Sequence, residues 1–223
     1  MHDNDQLVAS ELRMKSILCY GDSNTWGYVP GTGARFGRQE RWTGVLQASL
    51  GVGYHVIEEG LNSRTTVMED PTRGPGRNGL PYLGPCLDSH APLDLVLLML
   101  GTNDLKHRFG LSAGDIAVNI SALVSVIQSS SAGVSGSRPP LLLISPPHLG
   151  PFTALNEIFE GAEEKSRQLA SRYRAVAAQA GCAFFDAAEV VTTSSIDGVH
   201  WDVEQHRKLG LRLAEAVRQL VPV

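Results

Sequence analysis

Apolar runs of four to seven residues alternate along this chain with longer segments whose apolar positions recur every three or four residues. The runs are 16–20 (SILCY), 54–58 (YHVIE), 94–100 (DLVLLML), 140–145 (PLLLIS) and 182–185 (CAFF), each of strand length. Between them, 41–50 (RWTGVLQASL) reads as a short helix, and 112–129 aligns Ile116, Ile120, Leu123, Val124 and Ile127 on one helical face. The stretch 154–180 does the same with Ile158, Phe159, Leu169, Tyr173 and Val176, and 203–220 with Leu209, Leu213, Val217 and Leu220. Strands without a polar face, separated by helices long enough to cross over, predict an α/β fold with a parallel sheet covered on both sides. The segment 129–140 (SSSAGVSGSRPP) has the length of a helix-to-strand loop, and 67–92, rich in Pro and Gly, is expected to be a loop as well. Residues 1–14 carry no core-facing pattern and are expected to be a flexible extension, leaving 15–223 as one domain.

Composition narrows the partners. At 223 residues one domain is the favoured count, and a net charge of −4 supplies no basic field, which argues against nucleic acid as a partner. Cys19, Cys86 and Cys182 are odd in number and lack C-x-x-C spacing, so they read as thiols in a reducing, cytoplasmic setting. The N-terminal MHDNDQLVASELRM has no signal-peptide run and no later stretch has membrane-span length, so no membrane association is expected. His2, His55, His90, His107, His148 and His206 are scattered without metal-ligand spacing, and 31–37 (GTGARFG) has no phosphate-loop lysine; neither metal nor cofactor is expected.

Ligands of open α/β sheets collect beyond the carboxyl ends of the strands, where strand order reverses. In the order 2-1-3-4-5 strand 1 is central, and its end runs into GDSNTWGY (21–28), with Ser23 just past it. The strand-2 end leads into EEGLNSRTT (58–66) and the strand-3 end into LGTNDLK (100–106), so the Asn103 amide and backbone N–H groups around Asn62 and Ser63 would lie beside Ser23. Donors converging on a serine hydroxyl suit acyl transfer, whose tetrahedral intermediate carries a full oxyanion. A serine also needs a base, and SSIDGVHWD (194–202) holds Asp197 and His200 at a spacing that lets the carboxylate orient the imidazole. Asp202 serves equally well as the cap of the last helix, Asp22 and Asp104 read as structural hydrogen-bonding residues, and Arg41 and Arg64 as rim partners of Glu58, Glu59 or Asp70.

GDSN (21–24), EGLNSRTT (59–66), GTND (101–104) and DGVH (197–200) together resemble the four blocks of the SGNH (GDSL-type) hydrolase superfamily, over about 15–220. RWTGVL, VIEEGL, LDLVLLMLGTND and SPP further resemble its bacterial arylesterase, acyltransferase and perhydrolase branch. The resemblance implies a three-layer α/β/α, flavodoxin-like fold with a five-stranded parallel sheet of order 2-1-3-4-5. It implies Ser23 as nucleophile, His200 as general base and then acid, and Asp197 as the residue that holds the imidazole. It also implies an oxyanion hole made by the backbone N–H groups of Ser23 and Ser63 with the Asn103 side chain, and no metal. Relatives outside the branch usually have glycine at the place of Ser63, and most have leucine at that of Asn24. Asn24, Trp26, Tyr28, Thr102 and Trp201 are candidates to line the substrate channel.

The implied activity is that of a serine carboxylic ester hydrolase acting on short-chain, acetyl-like esters of aryl, alkyl or sugar alcohols, with acyl transfer to alcohols or peroxide as an extension. Closed homo-oligomers, octamers among them, with 67–92 as an interface loop, and a start at Met14 are implied as well. Two rival readings stand beside it: a lysophospholipase or thioesterase on the same fold, and a non-catalytic lipid- or carbohydrate-binding module.

Overall fold

The computed structural model describes residues 13–152 and 155–223. Five parallel strands, β1 (Lys15–Gly21), β2 (Tyr54–Gly60), β3 (Leu95–Met99), β4 (Leu141–Ser145) and β5 (Ala183–Asp186), form one sheet in the order β2-β1-β3-β4-β5. The expected strand order is the observed one. The helices are α1 (Ser23–Trp26), α2 (Trp42–Leu50), α3 (Gly79–Ser89), α4 (Ala113–Ser129), α5 (Ala162–Ala180) and α6 (Val203–Leu220).

Alternation along the strands divides the core in two. Leu18, Tyr20, Val96, Leu98, Leu141 and Leu143 face one side and pack with α3, α4 and α5. Ile17, Cys19, Leu95, Leu97, Leu142 and Ile144 face the other and pack with α2 and α6. Since both faces are covered, β1 and β3 read as unbroken apolar runs, and each fully buried Leu or Ile contributes about 1.5–3 kcal/mol.

Two expectations need correction. The segment 67–92 is not all loop, because α3 lies within it. Asn78 caps α3 by accepting from the Leu80 N–H at 3.0 Å, and Pro81 occupies the first turn, where a missing N–H costs nothing. Leu83, Cys86 and Leu87 fill its inner face and outweigh the hydrogen bond lost at Pro85. The helix expected over 154–180 begins only at Ala162: Gly161 precedes it in the left-handed conformation at φ 71°, and Ile158 and Phe159 lie in the turns before it. Of the expected N-terminal extension, only Arg13 and Met14 fall within the described residues, and Arg13 pairs with Asp94 at 2.6 Å.

Candidate active site

Strand β1 ends in a turn that only glycine permits at its first position. A Cβ on Gly21 would sit 2.1 Å from Thr25 Oγ1 and 3.0 Å from the Met99 carbonyl. Asp22 then caps α1, accepting from the Asn24 N–H at 2.9 Å, and Ser23 opens that helix with 5 % of its surface exposed. The sheet thereby delivers a nearly buried hydroxyl at the carboxyl ends of β1, β2 and β3.

The Ser23 Oγ lies 3.0 Å from His200 Nε2, and His200 Nδ1 lies 2.8 Å from Asp197 Oδ2. The other Asp197 oxygen accepts from the backbone N–H groups of Val199 and His200 at 3.0 and 2.9 Å. Burial pushes the Asp197 carboxyl up, but the His200 side chain and these two N–H groups prevail and hold it at about 2. With Nδ1 donating to the ionised Asp197, Nε2 is the nitrogen that faces the Ser23 hydroxyl. Asn103 sits in the single helical turn after β3, its Nδ2 donating to the Arg64 carbonyl at 3.1 Å. Ser63 adopts φ 65°, a left-handed conformation that brings the loop after β2 against the same space.

These groups open onto a cavity of about 280 Å³. Ser23, Tyr28, Ser63, Asn103 and His200 form its polar side, and Leu155, Ile158, Phe159, Ile196 and Val199 its apolar side. Arg73 and Lys106 also border it. A larger, shallower hollow of about 680 Å³ lies against β5, α5 and α6, between Arg174, Phe184 and Lys208, and contains none of the residues named above.

The model of the GDSL-like lipase/acylhydrolase family matches residues 19–208. The chain belongs to that family. It is a serine esterase of the SGNH type, a carboxylic ester hydrolase. The inhibitor-bound aryl esterase of M. smegmatis is 46 % identical, with a TM-score of 0.89 over 93 % of this chain and 100 % of that one. Est24, a carbohydrate acetylesterase from Sinorhizobium meliloti, is 40 % identical, with a TM-score of 0.89 over 92 % and 99 % of the two chains. A putative arylesterase from Agrobacterium tumefaciens is 38 % identical, with a TM-score of 0.86 over 93 % and 100 %. Among curated proteins, none matches.

Two buried carboxyls underpin the esterase's site. Asp104 accepts from the Thr66 N–H at 3.0 and 3.2 Å and from its hydroxyl, tying the loop after β3 to the loop after β2. Burial raises Asp104 to about 6 against the pull of Thr66, with Asp22 nearby adding to the rise. Burial likewise raises Asp22, opposed by the hydrogen bond from the Asn24 N–H.

Of the candidate channel residues, the esterase places Tyr28 on the cavity, its ring stacked on His200 at 4.1 Å and 26°. The other four lie elsewhere. Trp201, fully buried, points into the core between the sheet and α6 and packs on His206 at 5.3 Å. Asn24 is buried and donates to the Val199 carbonyl at 3.3 Å, which ties α1 to the histidine loop. Thr102 is buried near Asp22, where its side chain counters the rise of that carboxyl. Trp26 lies beside Tyr28 with the Arg35 guanidinium 5.0 Å over its ring, off the cavity wall.

The arginine expectations divide. Arg41 pairs with Glu58 at 2.6 Å, whereas Arg64 is buried, donates to the carbonyls of Gly21 and Glu59, and lies 4.2 Å over the Tyr20 ring. Asp70 instead holds Lys106 and Arg108 at 2.9 and 3.0 Å. Sequence reasoning missed Lys106, Arg73, Leu155 and Ile196 as wall residues. Lys106 alone carried a signal, three positions after Asn103 in the same block.

Proposed function

We propose that this esterase hydrolyses short-chain, acetyl-like esters of aryl, alkyl or sugar alcohols through an acyl-enzyme on Ser23. The observation that carries the reading is the unbroken hydrogen-bond chain from Ser23 through His200 to Asp197, at 3.0 and 2.8 Å, on the wall of a small half-apolar cavity. Ser23 Oγ bonds to the ester carbonyl carbon while its proton passes to His200 Nε2. The tetrahedral intermediate collapses, the bond to the alcohol oxygen breaks, and the alcohol leaves with that proton. Water, deprotonated by the same nitrogen, then attacks the acyl-serine, freeing the acid and restoring the hydroxyl. The backbone N–H groups of Ser23 and Ser63 and the Asn103 amide hold the oxyanion in both steps.

Size supports a small acyl group: about 280 Å³ is at or below the lower end of small-molecule pockets, roughly 300–1,000 Å³. A long lysophospholipid or acyl-thioester chain fits that volume poorly, and a binding module has no use for the ordered Asp–His–Ser chain. The aryl and acetyl specificities of the relatives point the same way. Acyl transfer to alcohols or peroxide follows if the apolar wall disfavours water. A closed homo-oligomer and a cytoplasmic setting complete the proposal. The setting is supported by free, buried Cys19 and Cys86, and among the described residues no helix is long and apolar enough to cross a membrane.

The test is a panel of nitrophenyl acetate, butyrate and octanoate, with water, alcohol and peroxide as competing acceptors. Acetate should be preferred, and a fluorophosphonate should label wild type but not Ser23→Ala. An octanoate optimum would move the assignment to the long-chain reading. Labelling that survives in Ser23→Ala would remove Ser23 from the mechanism.

A further inference from the structure

Outside the cavity, beside the carboxyl end of β2, three side chains of metal-binding chemistry converge. Cys86 and His90 are four residues apart at the C-terminal end of α3, a spacing that puts them on one side of the helix, and Glu59 comes from β2. The Cys86 sulfur, a His90 ring nitrogen and a Glu59 carboxylate oxygen all lie within 4.8 Å of one another, with His90 Nε2 and Glu59 Oε1 at 2.9 Å. We propose that these three residues form a binding site for a divalent transition metal, zinc being the best fit.

Ligand bonds of about 2.0–2.3 Å at tetrahedral angles separate donor atoms by roughly 3.3–3.7 Å. The cluster reaches that spacing if the His90–Glu59 contact opens by under about 1 Å and the sulfur closes inward. One thiolate, one imidazole and one carboxylate select zinc over magnesium or calcium, and the two anions match the charge of the ion. Cys86 is fully buried, whereas Glu59 and His90 are partly exposed, so the ion has a route from solvent on their side and a water can complete the coordination. Tyr82 already donates to the second Glu59 oxygen at 3.3 Å and orients it as an outer partner.

Arg64 is the cation that faces the cluster, 5.6 Å over the Tyr82 ring. Its donated bonds go to backbone carbonyls, including that of Glu59, and leave the Glu59 carboxylate for other partners. None of the three residues borders the cavity that holds Ser23, so the site has no part in ester chemistry. A bound ion would instead clasp the end of β2 to α3, four residues before Ser63.

The experiment uses the full chain after dialysis against a chelator, titrated with Co²⁺ and then with Zn²⁺. The expected result is a one-to-one complex with a thiolate-to-cobalt charge-transfer band, bleached by Zn²⁺, and a higher Tm with Zn²⁺. Cys86→Ser should abolish the band, and Cys86→Ser and the more exposed His90→Gln should each weaken Zn²⁺ binding by at least about 100-fold, more than the loss of an outer partner costs. The exposed His107→Gln serves as a control that changes nothing, and esterase rates report that each variant is folded. If Cys86→Ser does not fold, His90→Gln decides. Absence of the band in wild type, or its persistence in Cys86→Ser, would overturn the proposal, as would unchanged Zn²⁺ affinity in His90→Gln.

Discussion

Replacing Asp104 by asparagine should expose two opposed titrations that the wild-type protein hides. The Asp104 carboxyl rises on folding from 3.8 to about 6, so between these values the native state holds a proton that the unfolded chain has released. Stability therefore falls as pH rises through that window, by about 1.4 kcal/mol per pH unit and about 3 kcal/mol in all. His206 works in the other direction. Burial lowers it from 6.5 to about 3, so over this range the unfolded chain takes up a proton that the native state refuses. That contribution is fully present above the unfolded value and is lost as pH falls toward the folded one, again at about 1.4 kcal/mol per unit. Between about pH 4 and 6 the Asp104 and His206 contributions run against each other with equal and opposite slopes. A carboxamide in place of the carboxyl cannot titrate, and it can accept from the Thr66 N–H and donate to the Thr66 hydroxyl. The Asp104→Asn protein should therefore gain stability with rising pH across that window and exceed wild type at pH 7 by up to about 3 kcal/mol. Urea unfolding followed by circular dichroism at half-unit pH steps measures this. Parallel wild-type and Asp104→Asn profiles would refute the argument, because the carboxyl would then have no titration there to lose.

Three further substitutions test the site and its surroundings. Asn103→Ala should slow turnover on nitrophenyl acetate roughly 10²–10³-fold with little change in the urea midpoint, as expected for a lost oxyanion donor. Ser63→Gly relieves a left-handed residue, worth about 1–2 kcal/mol, against roughly 0.5–1 kcal/mol of added chain entropy. It should thus unfold at slightly higher urea while kcat, served by the same backbone N–H, stays within a few-fold. Trp201→Ala should cost about 3–5 kcal/mol in urea unfolding, as for other large core truncations, and leave KM unchanged below the transition; a raised KM without lost stability would return Trp201 to the channel.

The sheet was legible in the sequence because its strands are buried on both faces and so read as uninterrupted apolar runs. Strand order put Ser23 beside the loops after β2 and β3, but β5 is the edge strand, three places from β1, so the approach of Asp197 and His200 to Ser23 was legible from the sequence blocks and not from the topology. Helix α3 was obscured by Pro81, Gly84 and Pro85, whose local preferences are overridden by the burial of Leu83, Cys86 and Leu87. The apolar spacing of Ile158 and Phe159 mimics a helical face, but in the turns before α5 it serves the cavity wall instead. Trp201 shows how weak adjacency is as a guide. One bond beyond His200 the chain turns into the core, and neighbours in sequence face opposite environments. Of the Glu59, Cys86 and His90 cluster the sequence shows only the four-residue spacing of Cys86 and His90; Glu59 joins them only once β2 and α3 pack together.

Ser23 and His200 touch at 3.0 Å although 177 positions separate them in the chain. During synthesis the hydroxyl leaves the ribosome early and has no proton acceptor until almost the whole polypeptide has followed and the sheet has closed. On the proposed mechanism, nascent chains and fragments clipped ahead of Asp197 are therefore inert toward esters, and activity comes only at the end of assembly.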